Sequence, residues 1–197
     1  MQYKTLDEQI DITIEILNKN KELIDILNYI DELKLNNYYI SAGSIFQTIW
    51  NYLDNRDINY GIKDIDIIYH NINDISVDTD IKYYEMIQDY SNNMGYKYEI
   101  DVSNEARMHL WKKEHDGIDI KPYISSEDAI KRWIATIHAI GITKNNGNIK
   151  IYAPYGLSDI YSKTIRPIKH IDNNENLYNN KVKSWSKRFD NLNIVRW

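Results

Sequence analysis

The sequence predicts a mixed α/β fold with a helical C-terminal lobe. Apolar residues recur at helical spacing over the first 35 positions, two later segments alternate charged with apolar side chains at strand spacing, and the last quarter is helical and basic. The 197 residues are 43% hydrophobic and 27% charged, enough to bury a core and far from the composition of disordered chains.

Leu6, Ile10, Ile14 and Leu17, followed by Leu23, Ile24, Leu27 and Ile30, mark two amphipathic helices, and Thr5 with Glu8 reads as a capping box at the first start. Tyr38-Tyr39-Ile40, bounded by Asn37 and Gly43, is a short strand, after which Ile45, Ile49, Trp50 and Leu53 restore helical spacing. Residues 62–70, IKDIDIIYH, alternate acid with Ile as a strand does; Ile81, Tyr84 and Ile87 form a further helix closed near Gly95. Tyr98, Ile100 and Val102 alternate with Lys97, Glu99 and Asp101 in a second strong strand. Residues 104–113 read as helix and 117–120 as a short strand. Ser125 to Asp128 opens a helix running to about Ile140, residues 149–153 form a strand, 156–161 a short helix, and 174–189 a last basic helix. The division predicted is one domain over 1–197, with a catalytic core over about 1–121 and a helical lobe over about 122–197.

Composition narrows the function. Without cysteine there is no disulfide framework, zinc-thiolate site or thiol nucleophile. No run of apolar residues is long enough to span a bilayer, and the N-terminus lacks the basic start and apolar run of a signal peptide, so a cytoplasmic protein without a membrane partner is expected. Residues 1–149 are acidic, whereas in 150–197 Lys and Arg outnumber Asp and Glu nine to four. An acidic body suits a cation-dependent site or mere solubility, and a basic tail suits a polyanion or simple neutralisation of the body. Nucleophile-elbow, P-loop, dinucleotide-binding and zincin motifs are all missing, and the five His residues lack ligand spacing.

Asp64 and Asp66 are the most informative residues. Positions i and i+2 of a strand share a face, and two carboxylates there repel unless a hard divalent cation, Mg²⁺ or Mn²⁺, relieves them. A solvent-facing strand with two acids is the bland alternative. Upstream, Gly43-Ser44 lies where a strand enters a helix, a place for a phosphate or for an ordinary N-cap serine. Asp101 and Glu99, sharing a face of the next strand, are alternatives for a third acid. Arg107 and His109 follow closely and suit phosphate and substrate, or a salt bridge and a half-buried hydrogen bond. Lys63 is expected on the opposite strand face from Asp64, in a structural role. Lys163 and Arg166 suit a phosphate or a helix cap equally, and the five Trp residues are read as packing anchors.

Gly-Ser at a strand-to-helix turn, Asp-x-Asp on the next strand and a lone acid on a third resemble the nucleotidyltransferase superfamily built on the DNA polymerase beta palm. Within it, AGSIFQTIW (42–50), IKDIDIIYH (62–70), NEARMHLW (104–111), DAIKRWIATIHAIGI (128–142) and IYAPYGLSDIYSKTIRP (151–167) resemble a branch of small bacterial nucleotidyltransferase-like proteins of unassigned substrate. The resemblance implies a polymerase-beta-type mixed sheet flanked by helices. It also implies transfer of a nucleoside monophosphate from an NTP to a hydroxyl acceptor, with release of pyrophosphate. Asp64, Asp66 and Asp101 would then be catalytic metal ligands, selecting Asp101 over Glu99, and Gly43 and Ser44 would hold the triphosphate. This chain departs from the branch in carrying Glu105 where the branch has glutamine, and from the wider superfamily in the nineteen residues between Ser44 and Asp64. The acceptor stays open between a small molecule, as for an antibiotic adenylyltransferase, and RNA, as for an RNA-modifying toxin, which the basic stretch 181–188 favours. A nucleotide-binding protein of the same fold without transfer is the alternative from another class.

Overall fold

The computed structural model describes residues 4–115 and 117–197. Helices α1 (Leu6–Leu17) and α2 (Lys21–Leu33) form as their spacing predicts, and α1 opens on the expected box: the Glu8 amide donates to Thr5 Oγ1 and the Thr5 amide to Glu8 Oε2. Strand β1 (Tyr39–Ser41) then enters α3 (Gly43–Leu53) through Ala42, held at φ +56°. Strand β2 (Asp64–Tyr69) leads into α4 (Val77–Asn93), a crossover that returns the chain as β3 (Glu99–Asn104) parallel to β2.

A 3₁₀ turn (Glu105–Arg107), α5 (Met108–His115) and α6 (Ser126–Lys131) follow. Strands β4 (Gly141–Asn145) and β5 (Asn148–Tyr152) pair as a hairpin, with Asn146 and Gly147 both at positive φ in its turn, which explains the Asn-Gly signal there. After α7 (Ser158–Tyr161), β6 (Thr164–Ile165) pairs in parallel with β7 (Asn193–Ile194) across the last helix, α8 (Glu175–Ser186).

The main sheet has the order β3-β2-β1-β4-β5, with only β2 and β3 parallel. It is therefore a mixed sheet flanked by helices, as predicted. Two sequence readings are corrected. Residues 117–120 form no strand. The helix opened by Ser125 ends at Lys131 instead of about Ile140, because Gly141 and Ile142 are recruited to the sheet beside Ser41 and Ile40. At Gly141 an added Cβ would lie 2.8 Å from Ile130 Cδ1 and 2.9 Å from Tyr39 Cδ1, so close packing of this strand selects glycine. Strands β4 and β5, which lie beyond residue 121, complete the sheet.

One main core runs from Ile16 to Phe189. Trp50 is fully buried on α3, donates Nε1–H to the Ile160 carbonyl at 2.8 Å, and meets Phe46 and Phe189 edge-on at 4.8 and 5.1 Å. Trp185 of α8 meets Phe46 edge-on at 5.5 Å. These contacts dock the C-terminal lobe on α3 and bring the basic stretch over the carboxyl face of β2. Among the described residues no helix is long and apolar enough to cross a membrane.

Candidate active site

The parallel register between β2 and β3 places Asp66 opposite Asp101 and Asp64 opposite Glu99. Asp64, Asp66 and Asp101 share the floor of a cleft of about 520 Å³; Glu99 sits on the same strand face but outside the cleft lining. Two strands thus deliver the three acids, each by the period-2 geometry of its strand, while Ile65, Ile67, Ile100 and Val102 pack into the core behind them.

The acids perturb one another. Burial first, and then the nearby charges of Asp64 and Asp101, raise the Asp66 carboxyl from its ordinary value of 3.8 to about 7, with Lys181 opposing them. Asp101 is raised too, by burial first and then by Asp64, Asp80 and Glu99. A carboxyl whose folded pKa lies above its unfolded one contributes stability that is full below the unfolded value and lost as pH rises through the folded value. Between pH 4 and 7 Asp66 therefore weakens the metal-free fold progressively. Asp66→Asn is expected to raise the melting temperature at pH 8 by about 3 °C or more, and by much less at pH 4.5, in EDTA-treated protein followed by circular dichroism. An equal shift at both pH values would show that ionisation of Asp66 does not strain the fold.

Across from the acids stands a cationic wall from α8 and the residues just after it: Lys181, Lys187 and Arg188. Arg188 is fixed in place, donating from Nη1 to Gln47 Oε1 at 2.9 Å and to the Gly61 carbonyl. Gln47 lies one turn along α3 from Gly43, and its Nε2 comes so near that a Cβ on Gly43 would meet it at 2.9 Å. Glycine at 43 thus admits the side chain that positions Arg188. Gly43 and Ala42 line the cleft at the helix N-terminus, whose first N–H groups have no intrahelical acceptor. Ala42 holds a backbone conformation that favours glycine, a local strain of about 1–3 kcal/mol at the rim of the site.

The structure does not gather every predicted site residue. Ser44 is fully buried, with its hydroxyl donating to the Ser41 carbonyl at 3.5 Å, so its side chain faces the core. Arg107 is not among the residues that line the cleft and donates to Asp80 at 3.1 Å, while Asp80 also accepts from Tyr69 at 2.6 Å, so that Arg107 completes a network between β2 and α4. His109 is half-buried outside the lining. Lys163 is buried against Asp54, and Arg166 pairs with Asp159 at 3.1 Å. In the other direction, Lys63 lies at the cleft, because it precedes the first residue of β2 and escapes the strand alternation that placed it opposite Asp64.

Sequence reasoning missed Gln47, Glu105, Trp133, His138 and Trp185 as cleft residues. Only Gln47 carried a local signal, one helical turn from Gly43. Glu105 directly follows β3, four positions past Asp101, while Trp133, His138 and Trp185 arrive from segments distant in sequence; the 132–138 stretch is pinned by the Ile168 amide to Ile134 O and the Thr136 amide to Arg166 O.

The donor chemistry fits a hard divalent cation of one particular kind. Among the described residues no group of three or more His, Asp or Glu side chains stands ready to hold a metal ion by itself. Clustered carboxylates that repel, with cations opposite, instead suit Mg²⁺, which binds through one or two carboxylates and fills its octahedron with water and substrate phosphate oxygens.

No curated protein matches this chain. A solved structure does: an NMR structure described as revealing a CCA-adding enzyme head domain, 26% identical, covering 94% of this chain and 95% of that one with a TM-score of 0.77. A family model described as nucleotidyltransferase matches residues 28–194, which takes in both acidic strands, the strand-to-helix turn at Gly43 and the cationic wall. The chain belongs to this nucleotidyltransferase family, with the fold of such a head domain.

Proposed function

We propose that the protein is a metal-dependent nucleotidyltransferase that moves a nucleoside monophosphate from an NTP to a hydroxyl acceptor and releases pyrophosphate. The observation that carries this reading is the acid floor of Asp64, Asp66 and Asp101 facing Lys181, Lys187 and Arg188 across one cleft. A triphosphate needs cations on its outer oxygens, and a pair of carboxylates needs a cation between itself and that triphosphate.

Asp64, Asp66 and Asp101 would hold Mg²⁺ or Mn²⁺, which when bound supplies charge neutralisation at the α-phosphorus and at the departing pyrophosphate. The protein's own residues do the positioning. Lys181, Lys187 and Arg188 bind the β- and γ-phosphates, and the α3 N-terminus at Gly43 directs backbone N–H groups at the same charge. Asp101, at the open side of the floor, orients the acceptor hydroxyl and takes its proton. The acceptor oxygen forms a bond to the α-phosphorus as the bond from that phosphorus to the bridging oxygen breaks, and the electron pair leaves with pyrophosphate. No covalent protein nucleophile enters; alignment and electrostatics carry the rate.

The test is calorimetric titration of each NTP in Mg²⁺, in Mn²⁺ and in EDTA. Binding that requires the cation supports the reading and selects the donor for an acceptor screen among small molecules and RNA. Failure of every NTP to bind the folded protein removes it.

A further inference from the structure

Two features of the cleft are left unused by phosphate transfer: an aromatic wall and a buried carboxyl that accepts no hydrogen bond among the described residues. The half-buried rings of Trp133 and His138 lie 5.2 Å apart between centroids, Trp185 backs His138 at 5.7 Å, and all three line the cleft that holds the acids. Burial and the charge of Lys181 push the His138 imidazole down to about 3, so this wall is uncharged at neutral pH.

Glu105 is 4% exposed and also faces the cleft; among the described residues its carboxyl accepts no hydrogen bond, and Lys112 is the cation that attracts it. Its neighbours are already committed: Tyr123 donates to Asp172 at 3.0 Å, and Arg132 pairs with Asp128 at 2.7 Å. A buried polar group left unpaired destabilises the fold, and a hydrogen-bonding ligand offsets that cost. Glu105, Trp133, His138 and Lys181 are also the shared wall of a second cavity of about 160 Å³, so room continues past the floor of the cleft.

A ligand for this corner is flat, aromatic and polar along one edge, and it is joined to a phosphate chain that reaches Lys181. We propose that the corner is the nucleobase subsite for the donor nucleotide, with the base stacking on Trp133 beside His138 and its edge hydrogen-bonding to Glu105. This rests on the reading of the cleft as an NTP site. Lys181 then stands at the junction, since it is the charge felt by both Asp66 and His138.

The test compares each NTP with inorganic tripolyphosphate, which has the charge but no base, by calorimetry in Mg²⁺. The wild type is expected to bind at least one NTP about tenfold or more tightly than tripolyphosphate, the margin that one stacked base contributes. Trp133→Ala should erase most of that margin and leave tripolyphosphate affinity unchanged, whereas Trp133→Phe should retain most of it. Glu105→Ala should flatten the preference among the four bases, with Glu105→Gln partly restoring it. Tryptophan fluorescence gives a second readout in a conservative variant, because an NTP should quench the wild type and quench Trp133→Phe less. An NTP margin and base preference that survive in the Trp133 and Glu105 variants overturn the subsite alone. Folded wild type that binds neither NTP nor tripolyphosphate overturns the reading of the cleft, and this subsite with it.

Discussion

Asp64→Asn/Asp66→Asn is expected to lower nucleotidyl transfer by about a thousandfold or more while leaving a protein that is folded and, at pH 8, more heat-stable than the wild type. The first half follows from charge: the amide keeps the shape of each side chain but removes the anions that a divalent cation and its phosphate require, and electrostatic contributions of this kind are the largest in phosphoryl chemistry. The second half follows from repulsion. Asp66 is held near 7 by burial and by Asp64 and Asp101, so its ionisation at pH 8 opposes folding when no cation is bound. Opposite movement of activity and stability distinguishes loss of the site from damage to the fold. The measurement is pyrophosphate release in Mg²⁺ with the donor selected by titration, beside thermal denaturation of the same samples. Activity within tenfold of the wild type would place the chemistry elsewhere.

Trp50→Ala is expected to cost about 3–5 kcal/mol, with a fall in melting temperature of about 10 °C. Trp50 fills the junction of α3, α7 and the C-terminal lobe with no exposure at all, so truncation opens a cavity and removes the shorter of two hydrogen bonds to the Ile160 carbonyl, which keeps the Lys163 amide at 3.1 Å. The effect reaches the cleft through Phe189, which packs on Trp50 and is chain neighbour to Arg188. Loosening that contact frees the cationic wall, so triphosphate affinity should fall as well. Trp50→Phe keeps a ring in the gap but loses the hydrogen bond, and it should lie between the two. Urea or thermal melts settle the first claim, and a shift under about 2 °C for Trp50→Ala would contradict the packing account.

Much of the site was legible because it is local. Asp64 and Asp66 share a strand face by period alone, and Asp101 sits on a strand of equally plain alternation. Glycine at the entry of α3 was readable from its flanking patterns. Ser44 misled because a serine at a helix start looks the same whether its hydroxyl caps the helix, meets a ligand or, as here, turns back to the Ser41 carbonyl. Arg107 misled for a related reason: its partner Asp80 is a buried residue of α4, 27 positions away, and no spacing rule links them.

The last quarter shows the limit most directly. Its excess of Lys and Arg was plain, but a charge run has no direction until something docks it. Phe46, Trp50, Trp185 and Phe189 supply the docking, all by contacts between segments more than a hundred residues apart, and they turn Lys181, Lys187 and Arg188 toward the acids. The strand at Gly141–Asn145 was hidden in the same way, since its place in the sheet is set by β1 and not by its own pattern. What the sequence determined by itself was each element whose side-chain period is read within a few residues, and with those elements the acid pair. Only the tertiary structure decided which register aligns Asp66 with Asp101, which face of α8 meets them, and which aromatic rings close the cleft, because those depend on contacts that local spacing does not encode.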